Sequence, residues 1–300
     1  MSATRPNNIA QSLRLQGQVY CALALLAIAV TPFLGNAHST GGLVLLAITL
    51  FLLGIPHGAL DTVFARRLYG VTNWWQWALF AVAYLVPAGL VVLLWVLMPA
   101  AFLPAFLLLS VLHFSGDPAP GVPLGCRIVY GGAIIVLPTV LHAGAVLELF
   151  DFLVSGDGTA DLVQLLHVAG WGWLGATVIS VLYMARSHRS ASLELAATGA
   201  LAMIATPLVA FTIFFCVMHS PRHVLKTASA DGASPLRLLL RSASLPTIAC
   251  IVAFGAAMTW RTGMTLDARL MQSLFVGLAA LTVPHMLLVD GARWRAHGLG

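Results

Sequence analysis

Long runs without Asp, Glu, Lys or Arg constrain this chain more than any other feature. They cover residues 15–60, 68–116, 128–147, 162–185, 195–221, 242–260 and 270–289. A helix needs roughly 20 apolar residues to cross a bilayer, and an isolated charge at its centre costs roughly 2.5–3.5 kcal/mol. The first two runs have room for a helical pair each and the other five for one helix each, an upper bound of nine crossings. Charged residues make up only 8% of the chain against 60% hydrophobic, which excludes a soluble domain. Nothing shows the short alternating segments of a β-barrel, so the expected fold is all-α, a polytopic transmembrane helical bundle. It reads as a single integral-membrane domain over residues 1–300, in the inner (cytoplasmic) membrane, with short cytoplasmic tails at 1–16 and 291–300.

The net charge of +5 does not imply a nucleic-acid partner, because the arginines and Lys226 are scattered at run ends. Cys21, Cys126, Cys216 and Cys250 have no Cys-x-x-Cys spacing, so neither a disulfide nor a thiolate metal site is expected. The run from Val19 to Leu34 is long for a signal peptide and reads as a retained first helix. Trp74, Trp75 and Trp77 suit an interfacial aromatic belt more than a substrate-stacking role. The longest polar stretches are acidic Glu148 to Asp161 and basic Arg222 to Arg241.

With the N-terminus inside, nine crossings would leave Arg222–Arg241 and the C-terminal tail outside, against the positive-inside tendency. One segment must then fail to cross. Residues 128–147, short and containing Gly131, Gly132 and Pro138, fit a re-entrant or interfacial element. About eight spans result, within a range of seven to nine, with both termini inside and with Arg186 and Arg189 outside.

Polar groups inside spans are the functional candidates, and here they are histidines near span ends. The patterns are Pro56-His57-Gly58-Ala59-Leu60-Asp61, His113-Phe114-Ser115-Gly116-Asp117, His219-Ser220-Pro221-Arg222-His223, and Pro284-His285. His57 to Asp61, His113 to Asp117 and His219 to His223 share an i, i+4 spacing, which puts both side chains on one helix face. Neutral imidazoles suit iron, copper or zinc and can converge in a bundle core. A lone membrane histidine also serves as a hydrogen bond between helices. Asp61 and Asp117 have two readings, as acceptors that orient ligand rings or as solvated helix ends. Gly58 and Gly116 suit close helix approach, and Pro56, Pro221 and Pro284 suit kinks. Phe114, Phe211, Phe214 and Phe215 serve either packing or a substrate tunnel. His38, His188 and His297 read as solvated, and His142 and His167 as packing or interfacial residues.

These motifs, from about residue 50 to 290, resemble the Brp/Blh group of integral-membrane β-carotene 15,15′-dioxygenases of bacteria and archaea. The resemblance rests on Pro56-His57-Gly58-Ala59-Leu60-Asp61, His113-Phe114 with Asp117, His219-Ser220-x-Arg222-His223, and Pro284-His285. It implies a non-haem Fe(II) enzyme with His57, His113, His219 and His223 as ligands and His285 close to the site outside that set. It also implies O2 as co-substrate, cleavage of β-carotene to two retinals, and a functional link to retinal-binding rhodopsins. Other classes stay in view. A membrane di-iron desaturase or hydroxylase normally needs about eight histidines with adjacent pairs, and this chain has no His-His pair. A polytopic transporter more often shows inverted repeats or midspan carboxylates. Residue chemistry alone also permits bis-histidine haem on His57 and His219.

Overall fold

The computed structural model describes residues 6–33, 39–154, 158–260 and 263–297, without the side chains of 6–8, 55, 57, 260 and 290–297. Among these residues all regular structure is helical. In chain order the α-helices are α1 (Pro6–Val30), α2 (Thr40–Thr49), α3 (Asp61–Tyr69), α4 (Trp74–Leu97) and α5 (Pro99–Phe114). They continue as α6 (Leu124–Val136), α7 (Pro138–Leu153), α8 (Gly158–Ser187), α9 (Arg189–Ile204) and α10 (Pro207–Ile213). The last four are α11 (Ser220–Asp231), α12 (Pro235–Leu238), α13 (Ser244–Trp260) and α14 (Leu266–His297). The residues assigned to tails are therefore helical from Pro6 onward and as far as His297. His38 and His57's side chain, like the side chain of His297, lie outside the described residues.

Prolines set several of the boundaries. Pro99, Pro138, Pro207 and Pro235 stand in the first turn of their helices, where a missing N–H costs little. Three π-turns, Leu50–Gly54, Phe214–His219 and Leu239–Ala243, and the 3-10 turn Ile55–Leu60 join helices without breaking the rod. Joined this way, seven segments are long and apolar enough to cross a membrane. The pair α6–α7, bent by 45°, makes an eighth if counted as one span.

The number of spans matches the expectation, but their membership does not. α5 has only 16 residues, about 24 Å of rise. Run 195–221 is not one helix either. α9 reaches back past Glu194, and a new helix starts at Pro207 and continues through His219 to Asp231. Charge failed as a boundary marker because Glu194 and Arg222 are both buried and meet in a two-pronged ion pair, Nη1 to Oε2 at 2.8 Å and Nη2 to Oε1 at 2.7 Å. The basic stretch from Arg222 thus begins inside the bundle.

Residues 128–147 fall within the helix pair α6–α7, which is bent by 45°. The α6–α7 pair runs antiparallel to α8 along its length: Thr159 donates to Asp151, His167 Nδ1 meets the Thr139 carbonyl, and Trp173 Nε1 donates to Val129 O. Pro138 bends the pair without turning it back, and Gly132 lets the Trp173 ring pack against the backbone. α8 then returns the chain, so that His188 lies against Gly121. Arg186 and Arg189 consequently share a side with the α5–α6 connection instead of standing opposite it. α9 runs back along α8, with Ser192 bonded to Val181 O and Gly199 beside Thr177. His142 and His167 bond Met203 O and Thr139 O, which agrees with their packing role.

Candidate metal centre

His219 closes a π-turn, and Pro221 follows it. Proline cannot supply the N–H that the Val217 carbonyl expects one turn earlier. Gln16 of α1 takes over, its Nε2 donating to Val217 O at 2.7 Å and Met218 O at 3.1 Å, while its Oε1 accepts from Arg222 Nε at 2.9 Å. Ser220 donates to Leu53 O at 2.6 Å, tying this turn to the π-turn that precedes His57. Phe215 stacks on His219 with centroids 5.3 Å apart, and Phe114 meets its edge at 4.9 Å. Gly54 is required here, since the Phe215 ring stands 2.6 Å from where a Cβ would sit. His57 and His219 thus occupy broken turns inside long helical segments and not span ends.

His113 comes from the last turn of α5. The following turn is held by three cations: Arg127 Nε donates to Ser115 O at 2.9 Å, Lys226 Nζ to Gly116 O and Asp117 O, and Arg222 Nη1 to Asp117 O at 3.4 Å. Gly131 lets α6 lie directly on this turn, against Val111 O and Ser115 N. Gly58 has open space around it, so the expected close helix approach occurs at Gly54 and Gly131 instead.

His113 Nε2 and His219 Nε2 face each other at 3.0 Å. His219 Nδ1 donates to Asp117, whose two oxygens lie at 3.0 and 3.1 Å. Burial raises the Asp117 carboxyl pKa, but the adjacent His219 ring, Lys226 and Arg222 outweigh it and hold the group below its ordinary value. The His285 ring stands 5.3 Å from that of His113 and 5.0 Å from that of His223. His285 Nδ1 donates to Asp61 Oδ1 at 2.8 Å, and Tyr84 donates to Asp61 Oδ2 at 2.9 Å. The rings of His113, His219 and His223, three of the four expected ligands, are therefore brought together, and His285 stands among them. His57 lies in the 3-10 turn whose neighbours Gly58, Ala59 and Asp61 line the same cavity.

The i, i+4 reading of two motifs needs correction. Asp117 lies beyond the end of α5, and Asp61 follows a 3-10 turn, so neither shares an α-helical face with its own histidine. Each described carboxylate instead braces a ring from another motif. Both are buried, which removes the reading of them as solvated helix ends. The missed residues are Tyr84, Gln16 and Glu194, while Trp77, read as part of the aromatic belt, lines the same cavity as Asp61 and His285. Each of the three is a polar side chain in or beside an apolar run, the same signal that marks the histidines.

Among the described side chains, which exclude that of His57, no three His, Cys, Asp or Glu form a complete metal-holding group. The donor chemistry fits a cation all the same. A carboxylate that accepts the Nδ1 proton leaves Nε2 as the lone-pair donor, as ligands braced by an outer carboxylate do. His219 and His285 both have this arrangement. Beside them lies an apolar cavity of about 360 Å³, lined by Asp61, Trp77, Tyr84, His113, Phe215 and His285. A second cavity of about 640 Å³ between α4, α13 and α14 shares Cys250, Leu278 and Leu281 with it.

Residues 48–292 match the family model described as β-carotene 15,15′-dioxygenase. The chain belongs to the β-carotene 15,15′-dioxygenase family. It is therefore an enzyme of that family. A relative named β-carotene 15,15′-dioxygenase, from uncultured marine bacterium 66A03, is 30% identical over 253 residues, covering 82% of this chain and 91% of the relative. A probable β-carotene 15,15′-dioxygenase Blh from Halobacterium salinarum is 25% identical over 279 residues, covering 79% of this chain and 80% of its own. No solved structure matches the chain. The family match takes in all four histidine motifs and omits α1, which contributes Gln16 to the centre.

Proposed function

We propose that this protein cleaves the central 15,15′ double bond of β-carotene with O2, giving two molecules of retinal, and that Fe(II) held by His57, His113, His219 and His223 supports the reaction. The observation that carries this reading is the Nε2 to Nε2 approach of His113 and His219 at 3.0 Å beside an apolar cavity. Bound iron(II) supplies the one-electron chemistry that lets ground-state O2 react with an alkene. The reaction balances without an external reductant, because both oxygen atoms end in the two aldehydes.

The chain's own residues do the rest. Asp117 and Asp61 fix the ring orientation of His219 and His285 by taking their Nδ1 protons. Tyr84 holds Asp61 in place through its second oxygen. Phe215 and Trp77 give the cavity aromatic walls that exclude water and suit a polyene. The adjoining cavity between α4, α13 and α14 offers the polyene a lateral route from the bilayer. The protein works as one integral-membrane unit of the inner membrane, its basic side cytoplasmic. Co-expression in a bacterium that makes β-carotene tests the reading: the cells lose orange colour and accumulate retinal, and His57→Ala, His113→Ala, His219→Ala or His223→Ala abolishes this. Verified membrane expression with iron present and no retinal overturns it.

A further inference from the structure

Outside the histidine cluster, a polar pocket of about 170 Å³ lies between α3, α12 and the π-turn after it. Arg66, Arg67, Arg237 and Arg241 line it, together with Asp231 and Ser242. All four arginines are exposed, and among the described residues no carboxylate stands within ion-pair distance of any of them. Four guanidinium groups facing one carboxylate leave the pocket strongly positive. Its frame is fixed, since Thr62 donates to Ser242 O at 3.0 Å, joining α3 to the π-turn.

The position of the pocket identifies the ligand's surroundings. Three apolar segments have their ends here: Thr40–Tyr69 and Pro207–Asp231 finish at it, and Pro235–Thr259 starts from it. Trp74 and Trp75 open the next segment with 77% and 66% of their surface exposed, as residues of an interfacial belt do. Arg66 lies over the Trp77 ring at 5.2 Å from its centroid. Leu68, Leu236 and Leu240, each next to a lining arginine in sequence, have exposed apolar side chains. A cationic pocket at headgroup depth with an apolar rim matches a phosphate whose other end is hydrocarbon. Guanidinium forks match phosphate oxygens bidentately, and phosphate is the anionic group that phospholipid headgroups share.

We infer that this pocket binds the phosphate of an anionic membrane phospholipid. The pocket shares α3 with Asp61, so a bound headgroup also steadies the helix whose first residue braces His285. The test titrates the whole protein in nonionic detergent with phosphatidylglycerol, phosphatidylcholine or inorganic phosphate and reads bound species by native mass spectrometry. At about 1 kcal/mol per arginine near a headgroup, phosphatidylglycerol should bind at least about tenfold more tightly than phosphatidylcholine. That preference should vanish in the combined variant Arg67→Gln, Arg237→Gln, Arg241→Gln, which spares Arg66 on Trp77. The single variant Arg241→Gln, at an exposed residue, should already weaken it. Equal binding of the two lipids by the wild type, or an unchanged preference in a variant with a native elution profile, overturns the inference. Displacement of phosphatidylglycerol by millimolar inorganic phosphate overturns the lipid assignment in favour of a free anion.

Discussion

At the residue scale, the centre depends on which carboxylate braces which ring. Asp117 sits four residues from His113 yet bonds His219, and Asp61 sits four residues from His57 yet bonds His285. Replacing Asp117 with Asn keeps the shape and removes the anionic acceptor, so it should lower iron affinity or activity by roughly 10- to 100-fold. Iron per protein measured against free iron, alongside an unchanged unfolding temperature, separates this from a loss of fold. The histidine motifs were legible because imidazoles inside apolar runs are conspicuous. The pairing was not, because i, i+4 spacing speaks only of neighbours on one helix, and these partners meet across 102 and 224 residues of sequence. Glu194 was illegible for a related reason. A charge neutralised by Arg222 inside the bundle looks in sequence like the end of a span, although breaking such a buried pair typically costs about 3–5 kcal/mol.

At the element scale, broken helices do the positioning. The π-turn Phe214–His219 and the paired π-turn and 3-10 turn at 50–60 expose carbonyls that a continuous helix would satisfy. Gln16 and Ser220 satisfy them from neighbouring helices, as buried backbone groups require. Pro56 and Pro221 announced these breaks in the sequence, but the residues that repair them did not announce themselves. Close approach followed a different logic from the expected one. Gly131 lies against the backbone at the end of α5, whereas Gly58 faces open space. Gly131→Ala should therefore destabilise the protein by roughly 1–3 kcal/mol, while Gly58→Ala should leave stability nearly unchanged. Thermal unfolding of the two variants in the same detergent compares them directly.

At the scale of the whole molecule, helix directions settle the arrangement that charge counting left in conflict. α1 runs parallel to α9, since Gly17 meets Glu194 and Tyr20 meets Thr198, and antiparallel to α10–α11, since Gln16 meets Val217 and Tyr20 meets Phe214. The Arg186–Arg189 corner and the Arg237–Arg241 segment consequently share the side of the α1 start. Reporters inserted after Ser187 and after Ser234 should both read cytoplasmic, and opposite readings would contradict this topology. The class of fold and the number of long spans were legible from charge-free runs alone. Their membership was not, because Pro207 divides one run and the α6–α7 pair bends by 45° at Pro138 while lying along α8. The proposed chemistry has the histidine cluster act through iron on the central bond of β-carotene. Product analysis of the purified protein, with iron loaded and with iron removed by chelation, tests that claim most directly. Two retinals per carotene consumed, lost on chelation and restored by Fe(II), is the predicted result; unequal apocarotenals, or retinal formation untouched by chelation, would contradict it.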